Sequence, residues 1–257
     1  MNDHDKIKEF EEERRLRIEG NPKEADLVRA ANDFMTASTK RKYSYNFTWL
    51  GRPIIQYPQD IVAMQEIVWR VRPDLIVETG VAHGGSVIFY ASMMELIGQN
   101  GLVIGIDIEV RKHNRIEIEK HPLARRIKLI EASSVNVATL SQVREEALKR
   151  KCVMVVLDSN HTHQHVLNEL KLYSPLVTSG SYCVVFDTII NYVPDGTYSD
   201  RPWSGADNPA TAIREFLTSN QDFEIDHEID NKLLISVASG GFLRRKQSDT
   251  TTPQPVR

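Results

Sequence analysis

Five acidic residues follow apolar runs of the chain, and their positions suggest a shared ligand site. They are Glu78, Asp107, Glu131, Asp158 and Asp187. Each run has the near-continuous apolar composition of a parallel strand that is buried on both faces. Because ligands bind at the carboxyl ends of the strands in an open α/β sheet, we expect these side chains to line one crevice. One such acid alone is typical of a helix cap, but five favour a functional rim.

The segment after the first run, Glu78–Ser86, combines an acid with three glycines. Glycines let the backbone approach a ligand closely, and a helix beginning near Ser86 offers N–H groups to a carboxylate. Glu78 can pair with an ammonium group, so the segment suits the methionyl end of S-adenosylmethionine. The glycines lack the G-x-G-x-x-G spacing of a dinucleotide site. The cofactor-binding residues predicted here are Glu78, Thr79, Gly80, His83, Gly84 and Ser86.

Two further positions indicate a nucleoside. Asp107 ends the second run, where a carboxylate can accept both hydroxyls of a ribose. Ser133, shortly after Glu131, is expected to flank the adenine, and Asp158 is expected to border the cofactor as well. NAD enzymes also place an acid on the ribose, so Asp107 alone does not choose between NAD and S-adenosylmethionine.

Asp158 and Asp187 follow the fourth and fifth runs, which are expected to be neighbours in the sheet. Two carboxylates, waters and a substrate diol would form an open Mg²⁺ site, and the metal would lower the pKa of a bound hydroxyl. In the competing interpretation, the two aspartates only cap turns.

Three histidines, His161, His163 and His165, come directly after Asp158, at spacings that match no common metal-ligand set. We expect one of them, His163 in preference, to be a general base together with Asp158. A second histidine could extend the metal shell, and a structural role for each is an equally open alternative.

The runs predict the scaffold, a doubly wound, Rossmann-like α/β domain with a mostly parallel seven-stranded sheet. Two more strands, 223–229 and 233–237, are predicted to form a C-terminal antiparallel hairpin. The predicted parallel strands are 75–77, 102–106, 127–130, 153–157 and 182–186, and the predicted helices are 60–72, 86–97, 111–120, 138–150 and 165–176.

The two ends of the chain depart from this pattern. Residues 1–58 are predicted to be an N-terminal helical and substrate-side extension, with a helix break at Asn21-Pro22 and an irregular segment from residue 38. The methyltransferase domain is expected at 59–243. Residues 244–257 are polar and rich in Pro and Thr, which is typical of a disordered tail.

Aromatic residues in loops are candidates for packing against an acceptor: Trp49, Tyr57, Tyr198 and Trp203. Ordinary loop packing explains each of them equally well. Residues 191–208 form a long, polar segment punctuated by Gly and Pro, and we interpret it as a substrate lid.

The composition excludes several classes of protein. The net charge of −3 indicates neither a nucleic-acid surface nor a polybasic membrane patch. No apolar stretch approaches the ~20 residues that span a bilayer, and the N-terminus does not have the apolar core of a signal peptide. Cys152 and Cys183 are interpreted as buried free thiols. We therefore expect a cytoplasmic protein.

Three segments, Glu78–Ser86, Leu157–His163 and Gly180–Thr188, resemble the cephalosporin hydroxylase/rhamnosyl O-methyltransferase family, and the similarity runs from about Tyr43 to Phe242. The resemblance implies a class I S-adenosylmethionine-dependent methyltransferase with a divalent cation near the cofactor. It also implies an acceptor such as a sugar or a cephem antibiotic, and a homo-oligomer.

Residue by residue, the resemblance places Glu78, Gly80 and Ser86 near the methionyl group, Asp107 on the ribose, and Asp158 and Asp187 on the metal. The chain departs from the family beside the last aspartate. Metal-dependent members can carry a second acidic or amide ligand there, whereas this chain has Phe186 and Thr188.

These observations together predict an O-methyltransferase that uses S-adenosylmethionine, assisted by Mg²⁺, to methylate a hydroxyl of a sugar or glycosylated small molecule. The alternatives are an NAD-dependent oxidoreductase, a catalytically silent cofactor-binding protein and an iron oxygenase. Pyrophosphate-spaced glycines would have favoured the first, and loss of Glu78 or Asp107 the second. The third is suggested only by the histidines and by the hydroxylase part of the family name.

Overall fold

The computed structural model describes residues 3–194 and 200–247. Nine strands and nine α-helices lie in these ranges. The strands are β1 (Phe47–Trp49), β2 (Arg52–Ile54), β3 (Leu75–Thr79), β4 (Leu102–Asp107), β5 (Ile127–Glu131), β6 (Val153–Leu157), β7 (Tyr182–Val185), β8 (Phe223–Ile225) and β9 (Phe242–Arg245). The helices are α1 (Asp3–Gly20), α2 (Ala25–Lys40), α3 (Pro58–Val71), α4 (Gly85–Leu96), α5 (Lys112–Lys120), α6 (Val137–Ala147), α7 (His163–Tyr173), α8 (Pro209–Ser219) and α9 (His227–Leu233).

Seven strands form one sheet in the order β5-β4-β3-β6-β7-β9-β8. The first five in this order are parallel, and β9 is antiparallel to both β7 and β8. The chain winds outward from β3 to β5, then returns to place β6 on the other side of β3. Because the crossovers on the two sides of β3 run in opposite directions, a crevice opens at the carboxyl ends of β3 and β6. The predicted doubly wound, mostly parallel sheet is confirmed.

The strands alternate their side chains between two cores, one on each face of the sheet. Ile76 of β3 packs with α3 and α4 in one core, whereas its neighbours Leu75 and Val77 pack with α6, α7 and α8 in the other. All three are completely buried. Burial on both faces explains why β3 begins with an unbroken apolar run, residues 75–77.

The C-terminal hairpin exists, but one of its two strands was predicted wrongly. Residues 227–233 form the helix α9, and the strand that pairs with β8 is β9, not 233–237. Ile229 and Leu233 are four residues apart, a spacing that puts both on one face of a helix. Arg244 and Arg245, assigned by sequence to the tail, lie in β9, whose Phe242 and Leu243 are completely buried. Residues 248–257 lie outside the described ranges.

The N-terminal helical extension is confirmed. A short 3-10 helix, Asn21–Lys23, separates α1 from α2 at the predicted break. The side-chain amide of Asn21 donates to the carbonyl of Asn231 (3.0 Å), which ties the extension to α9. The segment predicted to be irregular contains the antiparallel pair β1–β2, joined by Leu50 and Gly51 with positive φ. Among the described helices, none is both long enough and apolar enough to cross a membrane.

Candidate active site

The carboxyl ends of β3, β6 and β7 open onto one cavity of about 810 Å³. Its walls come from residues 80–86 after β3, 158–161 after β6 and 187–190 after β7, and from residues 39–57 and 200–203. The predicted site residues that line it are Tyr57, Gly80, His83, Ser86, Asp158, Asp187 and Trp203. The cavity therefore occupies the crevice that the topology creates.

The glycines of the loop after β3 are required by close packing. A Cβ on Gly80 would lie 2.1 Å from the carbonyl oxygen of Asp158, and one on Gly85 would lie 2.2 Å from that of Pro53. Gly80 and Gly84 also have φ values of +90° and +84°, which favour glycine. The loop is thus clamped between β6 and β2, with the N-terminus of α4 directly behind it.

Glu78 is a buried carboxylate directly before this loop, and only 1% of it is exposed. Burial raises its pKa to about 8, although a hydrogen bond with Ser86 acts in the opposite direction. Its Oε2 atom has no hydrogen-bond partner among the described residues, and neither does Oγ1 of Thr79. Glu78, Thr79 and Gly84 lie behind the cavity wall rather than in it, whereas Ser86 lines the cavity.

Asp107 braces the same loop. One carboxylate oxygen accepts the backbone N–H groups of Val81 (2.8 Å) and Ala82 (3.1 Å), and the other accepts that of Glu109 (3.1 Å). Neither Asp107 nor Ser133 lines the cavity. Their assignments to the ribose and the adenine stay predictions.

Two residues that the sequence analysis missed hold the loop from outside. Arg52 donates to the carbonyl of His83 (2.7 Å) and to the side chain of Asn114 (2.9 Å). Asn114, which is 2% exposed, donates to the carbonyl of Ala82 (3.0 Å). No spacing rule connects residues 31 and 62 positions away from their partners, so the sequence carried no signal for them.

The centre of the cavity holds three potential metal ligands: Asp158, His161 and Asp187. One ligand atom from each lies within 4.8 Å of the other two. Nε2 of His161 is 3.0 Å from Oδ2 of Asp187, and the Gln56 amide donates to Asp158 (3.3 Å). Two carboxylates and an imidazole form a donor set that suits a divalent cation.

Burial and neighbouring charges shift the pKa values of two groups in this centre. Burial, followed by the charges of Asp187 and Glu78, raises the pKa of Asp158 well above its usual range. Burial lowers the pKa of His161, but the charge and hydrogen bond of Asp187 outweigh it, so the pKa lies above its ordinary value. Asp187 itself has a φ of +57°, an uncommon conformation for a non-glycine residue.

His163, predicted to be the general base, does not line the cavity, and its catalytic role stays a prediction. Its Nδ1 is 2.8 Å from Oγ1 of Thr211, and its Nε2 is 3.0 Å from Glu215. Both ring nitrogens therefore engage α8, outside the cavity. His163 is the first residue of α7, whereas His161 lies two positions earlier, in the loop after β6. The side chains therefore point in different directions, and His161 is the one that lines the cavity.

Of the four aromatic residues predicted to contact the acceptor, two line the cavity. Trp203 lines the cavity, with its ring 4.7 Å from that of His161 in an edge-on arrangement. Tyr57 also lines it but is 2% exposed and hydrogen-bonds Ser38 (2.8 Å).

Trp49, also predicted to contact the acceptor, does not line the cavity. It packs edge-on against Phe89 of α4 and donates to Ser92 (2.9 Å). Of the predicted lid at 191–208, residues 195–199, which include Tyr198, lie outside the described residues.

Comparison with known proteins identifies the family. Residues 41–246 match the model of the family described as rhamnosyl O-methyltransferase/CmcI. A rhamnosyl O-methyltransferase of Mycobacterium leprae (strain TN) is 36% identical over 208 residues, covering 77% of this chain and 83% of the relative. One from Mycobacterium bovis (strain BCG / Pasteur 1173P2) is 31% identical over 233 residues, covering 86% and 89%.

Solved structures show the same fold at lower identity. CmcI with Mg-SAM has a TM-score of 0.56 and 22% identity, over 78% of this chain and 77% of that one. MycE from the mycinamycin biosynthetic pathway, in complex with Mg, SAH and mycinamycin VI, has a TM-score of 0.51 and 16% identity, over 87% and 57%. With a family match that extends over most of its length and a relative at 36% identity, this chain belongs to the rhamnosyl O-methyltransferase/CmcI family of methyltransferases.

Proposed function

We propose that the protein transfers the methyl group of S-adenosylmethionine to a hydroxyl of a sugar or a glycosylated small molecule, with assistance from Mg²⁺. The observation that carries the proposal is that Asp158, His161 and Asp187 converge in the same cavity as the glycine loop after β3. A methyl donor and an acceptor hydroxyl would meet there. The names of the relatives, rhamnosyl O-methyltransferases, support a sugar as the acceptor.

The buried acids fit a positively charged cofactor. Glu78 has an unpaired carboxylate oxygen beside the loop, which suits the ammonium group of the methionyl end. Burial, followed by the charges of Glu78, Asp158 and Asp60, raises the pKa of Tyr90, so the field of these acids extends through this region. A sulfonium is stabilised by such a field, whereas the pyrophosphate of NAD is repelled.

The donor set also fits the divalent cation. Asp158 and Asp187 would hold it through their carboxylate oxygens, with room for waters and acceptor oxygens. When bound, the cation lowers the pKa of the acceptor hydroxyl. Phe186, the residue before Asp187, has no side-chain atom that could bind the cation. The polar side chains in contact with the two aspartates are His161 and Gln56.

The chain's own residues then align the reactants and remove one proton. The acceptor oxygen forms a bond to the methyl carbon as the carbon–sulfur bond breaks, and the sulfur keeps the electron pair as a neutral thioether. Nε2 of His161 faces Asp187 (3.0 Å), which leaves Nδ1 to accept the hydroxyl proton. Holding donor and acceptor in one cavity lowers the entropic part of the barrier.

The proposal also covers the domain bounds, the cellular location and the oligomeric state. We assign residues 1–58 to the extension, 59–243 to the catalytic domain and 244–257 to the tail, although β9 moves the last boundary beyond Arg245. A cytoplasmic location agrees with the free thiols of Cys152 and Cys183. We also propose a homo-oligomer, with a small-molecule or glycan acceptor as its partner.

Calorimetry with the purified protein tests the cofactor directly. We expect S-adenosylmethionine and S-adenosylhomocysteine to bind and NAD not to bind. Transfer of labelled methyl groups to methyl rhamnoside and other glycosides should then require Mg²⁺ and stop in EDTA. Binding of NAD alone would refute the cofactor assignment, and full activity in EDTA would refute the metal assignment.

A further inference from the structure

Asp60 is a completely buried carboxylate that lies outside the cavity wall, as the third residue of α3. Its Oδ1 accepts the hydroxyl of Ser236 (2.6 Å), and its Oδ2 accepts the backbone N–H of Val237 (3.0 Å). Among the described residues, no cationic side chain forms an ion pair with it. A buried carboxylate without an ion-pair partner destabilises the folded protein unless hydrogen bonds compensate it. The two bonds to Ser236 and Val237 are therefore the interactions through which Asp60 acts on the structure.

The segment that Asp60 holds is also hydrogen-bonded to the chain beside Asp187. The carbonyl of Val237 accepts the hydroxyl of Thr188 (3.2 Å) and the backbone N–H of Ile189 (3.3 Å). Thr188, which is completely buried, also donates to the carbonyl of Ser239 (2.8 Å). A continuous path of hydrogen bonds therefore runs from Asp60 through 236–239 to Thr188.

The conformation of Asp187 needs such support. Its φ of +57° is unfavourable for a residue with a Cβ and persists only where neighbouring contacts impose it. The contacts of Thr188 and Ile189 with Val237 begin immediately after this residue. They fix the direction in which the Asp187 carboxylate leaves the backbone, toward Asp158 and His161.

We infer that Asp60 is a positioning residue for Asp187: through Ser236, Val237 and Thr188 it holds the Asp187 carboxylate at the distance from Asp158 that a divalent cation requires. The inference rests on the proposed function, which places the cation between these two aspartates. Asp60 touches neither the cation nor a reactant. Its effect is on cation affinity and not on cofactor affinity.

The chain offers a matched control in the same segment. Asp230 accepts the backbone N–H of Gly240 with both oxygens (3.0 and 3.1 Å). It thus fixes the far end of the loop that Asp60 fixes near Val237, and it is also partly buried. Removing Asp230 deletes the bonds to Gly240 but none of those that join Asp60, Val237 and Thr188, so the two aspartates separate positioning from general stability.

The test measures cation binding itself. Mg²⁺ is titrated calorimetrically into the complex with S-adenosylhomocysteine, with Mn²⁺ and electron paramagnetic resonance as a second probe. Asp60→Ala should weaken the cation about tenfold, as loss of support behind a metal ligand does. The Kd of S-adenosylhomocysteine should stay within about twofold, and Asp230→Ala should lower the Tm while leaving cation affinity unchanged.

Three further variants keep the test decisive if Asp60→Ala does not fold. Thr188→Val removes the other end of the path and should weaken the cation by a similar factor. Asp60→Asn should restore most of the affinity, because the amide can accept from Val237 and donate to the Ser236 oxygen. In the double variant Asp60→Asn with Thr188→Val, the loss should equal that of Thr188→Val alone.

Two outcomes would overturn this inference and leave the proposed metal site standing. One is an equal loss of cation affinity in Asp60→Ala and Asp230→Ala; the other is wild-type cation affinity in both Asp60→Ala and Thr188→Val. Asp60→Asn behaving like Asp60→Ala would also overturn it, since charge rather than position would then matter. A wild-type protein that binds S-adenosylhomocysteine but no cation would overturn the proposed metal site and this inference with it.

Discussion

The two halves of the sheet's carboxyl edge treat their acidic residues in opposite ways. In the β4–β5 half, Asp107 accepts three backbone N–H groups, and Glu131 pairs with Arg115 (2.8 Å). In the β6–β7 half, Asp158 and Asp187 lie close together, and burial followed by the charge of Asp187 raises the pKa of Asp158. The first pair is compensated by backbone N–H groups and an arginine, whereas the second pair has, among the described side chains, only His161 and Gln56 as partners and is where we propose a cation. In this proposal the β4–β5 half is preformed, and the β6–β7 half is completed by the cation.

The largest effect is expected from Asp187→Ala. We expect kcat to fall at least about a thousandfold and the response to Mg²⁺ to disappear, because a bound metal contributes several kcal/mol to charge stabilisation. The Kd of S-adenosylhomocysteine should change little. Steady-state kinetics with and without EDTA measures this. The control is Glu131→Ala in the other half, whose exposed ion pair contributes little; equal losses in both variants would contradict the comparison.

His161→Ala should have the next largest effect. Loss of a general base lowers kcat by about a hundredfold or more. His163→Ala, two positions away, should keep kcat within about threefold but lower the Tm, because its ring joins α7 to α8 through Thr211 and Glu215. Rate measurements at saturating acceptor, with thermal melting of both variants, check this pair. A larger kcat loss in His163→Ala would restore the prediction made from sequence.

Asp107→Ala tests the preformed half. It should weaken S-adenosylhomocysteine about tenfold to a hundredfold, since hydrogen bonds to a charged group contribute about 1.5–3 kcal/mol. The Tm should fall as well, because the variant releases the N–H groups of Val81 and Ala82. Calorimetry in the absence of Mg²⁺ isolates this effect from the metal. An unchanged Kd would mean that Asp107 only braces the loop.

The smallest effect is expected at the acceptor side of the cavity. Trp203→Ala should raise the KM for the acceptor severalfold and leave the Kd of S-adenosylhomocysteine unchanged, because the ring lies beside His161. Trp49→Ala is the matched control: it should lower the Tm without changing this KM, since its indole packs on α4. If KM moved in Trp49→Ala and not in Trp203→Ala, the assignment of the acceptor side would be reversed.

The parallel sheet could be predicted because buried strands leave an unambiguous mark. Each strand from β3 to β7 is mostly apolar, with Lys128 in β5 as an exception, and the acids that follow the apolar runs locate the ligand edge. The inference of strands from apolar runs was wrong at 227–237. The few apolar residues there are spaced in a way that fits a helix as well as a strand. There the pairing of β9 with β7 decided the structure, through the buried Phe242 and Leu243.

The sequence by itself determined the five apolar runs of the parallel sheet, the glycine loop, and the acids Asp158 and Asp187, because all of these follow from local composition and strand ends. Only the tertiary structure decided which histidine meets them, which tryptophan faces the cavity, and that Asp60 supports Asp187 through Val237. The direction of a side chain in a loop depends on backbone turns and on partners distant in the chain. Hydrophobic periodicity, which reports only burial, does not record either of these.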